Sequence, residues 1–151
     1  MDSIDKQILW ELQLDGRLTN QELADRVGLS PSPCLRRVRQ LEESGVIAGY
    51  SARLNPKAVD LSITAFVSIT MNSHGAEAVD DLENRIRSIG RVVEAHLLSG
   101  GADYLLKVMV SDLEEFEAFI REDIRTLPFI ASISTSFAIG QTKTATPLPL
   151  N

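Results

Sequence analysis

The sequence predicts an α+β protein, with an N-terminal helix-turn-helix domain of three helices and a C-terminal ferredoxin-like βαββαβ domain. Two observations predict this fold class. Apolar residues recur at helical spacing as far as Gly45, and the period then changes to the alternation that is typical of strands. The later segments follow the order strand, helix, strand, strand, helix, strand, which is the split βαβ motif. We therefore predict a helix-turn-helix domain at residues 1–50, a hinge strand and linker at 51–61, and the ferredoxin-like domain at 62–151.

Residues 1–50 contain the start and stop signals of three short helices. The first helix carries apolar residues at helical spacing and ends before the segment LDGRLT. Thr19 and Glu22 form the capping-box pattern that begins the second helix, and Gly28 supplies the left-handed turn that ends it. Two Ser-Pro pairs precede the third helix, and Gly45 closes it. Three short helices with a glycine turn before the last one indicate a helix-turn-helix.

The third helix is predicted to have an apolar side and a cationic side. The apolar side carries Cys34, Leu35, Val38 and Leu41. The polar residues that we predict to bind DNA are Ser30, Ser32, Arg36, Arg37, Arg39 and Gln40. The chain has a formal net charge of −6, yet no acidic residue occurs in the sequence from Arg26 to Leu41. The segment is therefore locally cationic on an acidic protein.

A cationic helix face of this kind suits the major groove of double-stranded DNA. The arginine fork bonds guanine O6 and N7 together or grips phosphate, whereas a carboxylate at the same place repels the phosphates. The polar N-terminal half of the last helix in a helix-turn-helix is the part that enters the groove. A merely solvated arginine face is the alternative, and the pI near 4.9 favours it. The helix-turn-helix spacing around the arginines favours DNA.

The rest of the chain alternates strands with helices. Residues 46–54, VIAGYSARL, are predicted as a short strand that leads into the linker. The first helix of the second domain spans about 76–88, and the next begins at Ser111 with Glu114 as its capping-box partner. The four strands of the predicted sheet are residues 63–71, 92–98, 104–110 and 130–139.

Alternation along these strands predicts one face under the helices and one open face. The inner face carries Ile63, Ala65, Val67, Ile69, Val93, Ala95, Leu97, Leu106, Val108, Ile133 and Phe137. The outer face carries Phe66, Leu98, Leu105 and Met109 among polar residues. An open sheet face with this much apolar surface usually meets a partner, so we predict a homodimer through it.

The composition does not support other classes of function. The chain has two histidines, His74 and His96, and one cysteine, and these show no spacing that is typical of a metal site or a catalytic triad. We therefore predict no enzyme activity, no metal and no cofactor. The apolar runs are shorter than the ~18 residues of a membrane helix, and the start has no signal-peptide pattern. These features predict a cytoplasmic protein without a membrane partner.

The motifs of both domains resemble those of the Lrp/AsnC family of transcriptional regulators. The likeness lies in IDKQILWELQLDGRLTNQELADRVGLSPSPCLRRVRQLEESGVIAGY with the LNP that follows, in HLLSGGADYLLKVMV and in STSFAIGQTK. It spans nearly the whole chain and is strongest for the leucine-responsive branch. The resemblance implies a DNA-binding domain, a hinge strand and a dimerising ferredoxin-like domain. It further implies dimers that assemble into a tetramer or octamer, with an amino acid effector, leucine-like by preference, bound between dimers.

The resemblance also implies which residues bind the effector. They are Gly100, Gly101, Asp103 and Tyr104 in the loop between the central strands, and Thr135 and Ser136 on the last strand. Asp103 could hold the ammonium group, and the hydroxyls and glycine backbone the carboxylate. The family usually has Asp where this chain has Gly101, so one carboxylate is missing. A plain hairpin turn with a solvated Asp103 is the alternative for the loop.

The function that these features predict is sequence-specific DNA binding that responds to an amino acid. A ferredoxin-like module that senses a metabolite without binding DNA is the alternative, because a fold does not determine a function.

Overall fold

The structure, a computed structural model, describes residues 1–144 and 146–150 in two compact units. One unit comprises Met1–Arg53 together with the tail from Thr142 onward, and the other is Leu54–Gln141. The sequence prediction placed the tail in the ferredoxin-like domain, whereas the structure packs it on the N-terminal helices through Leu148 and Leu150. Within the described residues, no helix is both long and apolar enough to cross a membrane.

Three helices form the N-terminal unit: α1 at Ser3–Leu14, α2 at Asn20–Val27 and α3 at Pro31–Glu43. The predicted capping box of α2 is confirmed, since Thr19 accepts from the Glu22 N–H and Glu22 accepts from the Thr19 N–H. Gly28 ends α2 at φ 69°, the left-handed conformation that glycine adopts without strain. The helices meet around a core of Ile8, Leu9, Leu23, Ala24, Val27, Cys34 and Leu41. Cys34 is a buried structural residue of this core.

The second unit has the predicted βαββαβ order. Its elements are β1 at Ile63–Met71, α4 at Ala76–Ser88, β2 at Val92–Leu97, β3 at Tyr104–Val110, α5 at Leu113–Phe119, a π-helical turn at Ile120–Ile124, and β4 at Ile130–Phe137. The sheet order is β2-β3-β1-β4, and all three pairings are antiparallel. The ferredoxin-like prediction is confirmed, with strand bounds that differ from the prediction by no more than two residues.

The two faces of the sheet follow the prediction on the central strands. Ala65, Val67 and Ile69 of β1 are fully buried with Leu106 and Val108 of β3 under the helices. On β4, the ring of Phe137 contacts Phe116 of α5 with centroids 4.9 Å apart, although Phe137 is 47% exposed. The sheet therefore packs its core on one face and leaves the Phe66 face open, as predicted.

The predicted inner face is wrong on the edge strand β2. A bulge between Val92 and Glu94 shifts the register, so that Val92 packs on the core while Val93 is 47% exposed. Ala95 and Leu97 keep the inner register but are exposed, because β2 is an edge strand that the helices cover poorly. Simple alternation fails here because one extra residue reverses the direction of every side chain before it.

The strand predicted at 46–54 and continued into the hinge does not form. In the part of the chain that the structure describes, these residues pair with no other strand, and Pro56–Val59 forms a short 3₁₀ helix instead. A strand requires a partner for its ladder of hydrogen bonds, and the chain itself supplies none here. The β-branched residues of the segment indicated extended backbone but not a partner.

The start of α5 is shifted by one residue from the prediction. Asp112, not Ser111, is the N-cap residue, and its side chain accepts from the Glu115 N–H at 2.8 Å. Glu115 in turn accepts from the Ser111 N–H at 2.7 Å and pairs with the Arg91 guanidinium at 3.1 Å. These hydrogen bonds lower the pKa of Glu115 to about 2, with the Ser111 N–H as the largest cause.

Replacing Glu115 by Gln is expected to destabilise the protein at neutral pH but not in strong acid. A carboxyl whose pKa is lower in the folded state stabilises the fold fully above its ordinary pKa of 4.5, and this contribution is lost as pH falls toward 2. The difference in unfolding free energy between wild type and E115Q should therefore shrink below pH 4.5. Urea unfolding between pH 7 and pH 2 measures it. E114Q is the matched control, and an equal loss in both variants at pH 7 contradicts this role.

Candidate functional site

The exposed face of α3 is the candidate nucleic-acid interface. Ser32, Arg36, Arg39 and Gln40 are all exposed. Among residues 1–144 and 146–150, no carboxylate oxygen lies within 4.0 Å of the guanidinium of Arg36 or Arg39. These two guanidinium groups are therefore available for phosphate or for base edges.

The prediction that Arg37 belongs to this face is wrong. Its guanidinium Nη1 lies 2.7 Å from both Asp2 Oδ2 and Asp5 Oδ1 on α1, and its side chain is only 26% exposed. Hydrogen bonds to Asp5 and Asp2 raise the pKa of Arg37. At 100° per residue, position 37 lies beside the buried Leu41 and not opposite it. Arg37 thus joins α3 to α1 through two carboxylates, unlike Arg36 and Arg39.

Leu35 was assigned to the apolar core side, and this is also wrong, since it is 38% exposed on the flank of α3. Ser30 lies before the helix as its N-cap residue, and its hydroxyl makes no capping bond to a described backbone group. Asn20 at the start of α2 donates from Nδ2 to the Pro31 carbonyl at 2.9 Å and fixes the beginning of α3. Ser30 is exposed next to this fixed point. The N-terminal half of α3 therefore presents Ser30, Ser32 and Arg36 together.

The candidate effector loop lies between β2 and β3. Gly100 and Gly101 are exposed there, while Asp103 is half-buried. The Asp103 carboxylate accepts from the Met71 N–H at 2.6 Å and from His74 Nε2 at 3.0 Å. The Met71 hydrogen bond, followed by that from His74, lowers the pKa of Asp103. Asp103 is thus an ionised group that fixes the end of β1, and not the solvated turn residue of the alternative interpretation.

His74 was not predicted as a partner of Asp103. The two residues are 29 positions apart, and only the pairing of β1 with β3 brings them together. Beside His74, Ser73 and Gly75 line a cavity of about 460 Å³ with Glu77, Ala78, Asp81 and Phe129. Sequence spacing carries no signal for this cavity, because its walls come from the β1–α4 loop, α4 and the start of β4.

The other predicted effector residues do not join the exposed side chains of the loop within one chain. Tyr104 is 3% exposed, and its hydroxyl donates to Glu83 Oε1 at 3.2 Å, so it belongs to the core. Burial, followed by the Glu83 bond, raises the pKa of that hydroxyl. Thr135 pairs with the buried Val67 and therefore lies on the helix-covered face. Thr135 and Tyr104 are separated by two strand spacings across the sheet and by two residues along it, so their backbones lie roughly 12 Å apart.

Ser136 points to the opposite side of the sheet from Thr135. It pairs with Phe66 and is exposed on the outer face. Successive residues of a strand alternate between faces, so these two hydroxyls cannot both contact one small ligand on the same face. The six predicted effector residues therefore do not form one pocket in a single subunit. In the described residues, no group of three or more His, Cys, Asp or Glu could hold a metal ion.

Comparison with known proteins identifies the family. The profile of the Lrp/AsnC ligand binding domain matches residues 64–148, and that of a winged helix-turn-helix DNA-binding domain matches residues 1–48. The chain belongs to the Lrp/AsnC family. The leucine-responsive regulatory proteins of Klebsiella pneumoniae and of Escherichia coli K12 are each 42% identical to it over 143 residues, which are 95% of this chain and 87% of theirs.

Solved structures agree with this assignment to the Lrp/AsnC family. A transcriptional regulator from Neisseria meningitidis, solved as an L-Met complex, has a TM-score of 0.95 at 38% identity, covering 100% of this chain and 97% of that one. An AsnC family regulator from Agrobacterium tumefaciens has a TM-score of 0.94 at 40% identity, covering 99% and 97%. The chain is therefore a DNA-binding transcriptional regulator with an Lrp/AsnC ligand-binding domain. A sensing module without DNA binding does not fit this family, whose members are regulators and not enzymes.

Proposed function

We propose that this regulator reads DNA through Ser30, Ser32, Arg36, Arg39 and Gln40, and that it does so as a homodimer in the cytoplasm. The observation that carries this proposal is the exposed pair Arg36 and Arg39, which no described carboxylate neutralises. Arg37 is left out of the reading face because Asp2 and Asp5 hold it. Two free guanidinium groups on each α3 are few, so a dimer that presents four strengthens the phosphate attraction of an acidic chain.

The outer face of the sheet supports the homodimer. Phe66 lies on the central strand β1 and is 37% exposed, with Lys107 and Ser136 as its cross-strand neighbours. Leu105 and Met109 of β3 lie on the same face. Apolar surface in the middle of an open sheet favours a second copy as its partner. In such a dimer the unpaired segment 46–54 gains the same segment of the second copy as its strand partner. Dimers can associate further into a tetramer or octamer.

Binding to operator DNA at increasing salt tests the DNA-binding mode. Operators are first selected from a randomised DNA pool. The affinity is then measured by gel retardation at salt concentrations from about 50 to about 200 mM, the range over which phosphate contacts weaken strongly. The logarithm of the association constant should fall linearly with that of the salt concentration, by ~0.9 per phosphate contact. An affinity that does not change with salt contradicts the proposal.

We further propose that the effector is an amino acid of leucine or methionine type, bound between subunits near the loop 100–104. The similar regulator from Neisseria meningitidis was solved as an L-Met complex, and the related curated proteins are leucine-responsive. Within one chain the loop lies far from Thr135 and Ser136. A site that uses both must therefore combine the loop of one subunit with β4 of another. This arrangement supports an effector that changes the assembly state as it binds.

Replacing Gly101 by Asp is expected to tighten effector binding by about tenfold, the effect of one hydrogen bond to a charged group. The Asp103 carboxylate already accepts from Met71 and His74, so an incoming ammonium group shares it with these two donors, and a carboxylate at position 101 adds a new acceptor. An added side chain at Gly101 meets no described atom within 4 Å of its Cβ, so Asp fits without strain. Titration calorimetry with L-leucine and L-methionine measures the change. G101A is the control without charge, and equal affinities for G101D and G101A refute the ammonium site.

A further inference from the structure

The tail of the sequence occupies a groove on the N-terminal helices. Leu150 packs against the buried cluster of the N-terminal unit. It also lines a cavity of about 350 Å³ with Lys6, Gln7, Trp10 and Glu11 of α1 and Arg26 of α2. The wall on the α2 side is fixed, because Arg26 Nη1 bonds Glu11 Oε2 at 2.9 Å. The groove is therefore a built surface between two helices, with one apolar side chain of the tail inserted in it.

Both polar backbone groups of one tail residue are also bound. The Leu148 N–H donates to Gln13 Oε1 at 2.6 Å, and Gln13 Nε2 donates to the Leu148 carbonyl at 3.5 Å. A side-chain amide that takes the donor and the acceptor of the same residue recognises extended backbone, as a neighbouring strand does. Leu148 itself points outward, with its side chain 70% exposed. The groove thus holds the backbone of Leu148 and the side chain of Leu150.

The sequence of the tail is suited to this binding mode. Prolines at 147 and 149 restrict φ to about −65° and favour extended backbone, so little conformational entropy is lost on docking. Proline has no N–H, and the Leu148 N–H is therefore the single backbone donor of Pro147–Leu148–Pro149. Gln13 accepts from that donor. The Pro-Leu-Pro-Leu pattern thus supplies an extended peptide whose Leu148 N–H is bound by Gln13 and whose Leu150 side chain is a partly buried anchor.

We propose that the groove of α1 and α2 is a peptide-binding surface whose occupant is this chain's own segment 146–150. The groove side chains come from α1 and α2, so the occupied groove leaves the exposed residues of α3 available for DNA. The chain leaves the N-terminal unit at Arg53 and returns to it at Thr142. The docked segment is therefore a second link between the ligand-binding unit and the DNA-binding unit, in addition to the hinge.

The single tryptophan of the chain, Trp10, lies in the groove and reports on its occupancy. In the full-length protein, Leu150→Ser should shift Trp10 emission to longer wavelength and increase quenching by acrylamide, because the anchor no longer covers the cavity. Leu148→Ser is the matched control and should leave both signals unchanged, since that side chain is exposed. Gln13→Ala removes only the backbone recognition and should produce the same shift as L150S, in a helix that alanine favours.

Rescue in trans separates docking from a folding defect. A synthetic peptide with the sequence of residues 142–151, added to L150S, should return the emission and the quenching toward wild-type values. Trypsin should also cleave after the exposed Lys143 faster in L150S and Q13A than in L148S. The proposal is overturned if L150S and L148S give the same emission, quenching and cleavage. It is also overturned if L150S keeps the far-UV spectrum of the wild type and the peptide still does not restore its emission and quenching.

Discussion

Replacement of Arg36 by Ala is expected to weaken binding to selected operator DNA by about ten- to a hundredfold, the effect of one bidentate base contact. Arg36 is exposed and has no carboxylate partner among residues 1–144 and 146–150, so its loss should leave the urea midpoint unchanged. Arg39→Ala should act in the same direction. Fluorescence anisotropy with labelled operator at fixed salt measures the affinity, and urea unfolding followed by circular dichroism measures the stability.

Replacement of Arg37 by Ala is the matched control for this result. Arg37 joins α3 to Asp2 and Asp5 of α1, so R37A leaves two carboxylates without their cation. The urea midpoint of the N-terminal unit should fall, and R37A should lose DNA binding only to the extent that it unfolds. If R37A folds as well as wild type and loses operator binding as R36A does, the assignment of Arg37 to the helix contact is wrong.

Replacement of Phe66 by Glu is expected to separate the proposed homodimer. Phe66 lies in the middle of the outer face beside Lys107, whose ammonium group is already paired with Glu94 at 2.6 Å. F66E therefore places a carboxylate without a cation of its own at the centre of the interface. A buried unpaired charge costs on the order of 3 kcal/mol or more, which raises the dimer dissociation constant at least about a hundredfold. Sedimentation velocity should show a monomer, and operator affinity should fall with it.

Leu113→Glu is the control for F66E, because Leu113 is also a large exposed apolar residue but lies at the start of α5. That variant should remain a dimer with unchanged DNA affinity. A dimeric F66E, or an L113E that dissociates equally, shows that the protein does not dimerise through the outer face.

The sequence predicted the fold where local signals and the hydrophobic period agree. The Thr19–Glu22 capping box, Gly28, and the alternation of β1 and β3 all behave as expected, because each depends on neighbours in sequence or on one buried face. The prediction failed where strand pairing or a competing neighbouring residue decides. The bulge at Val92 reverses the phase of β2, and Asp112 takes the cap that the pattern assigned one residue earlier.

In the candidate site, too, local features were predicted and contacts between distant residues were not. The cationic face of α3 was predicted from helical spacing and from the lack of acidic residues in the segment, but the two partners of Arg37 lie 32 and 35 positions away on α1 and could not be inferred from it. Similarly, strand pairing brings His74 to Asp103 and places Thr135 and Ser136 on opposite faces of the sheet. The family resemblance implied the effector residues at the loop and on β4, whereas only the register shows that one subunit does not complete the site.

Footprinting of the full-length protein on its selected operator tests most directly whether paired α3 helices read DNA. Two protected half-sites, centred about 10–10.5 base pairs apart or a multiple of this, are expected on one side of the duplex. Protection in both half-sites should disappear in R36A and persist in L113E. A single protected half-site, or protection in wild type that R36A retains in full, would contradict the account.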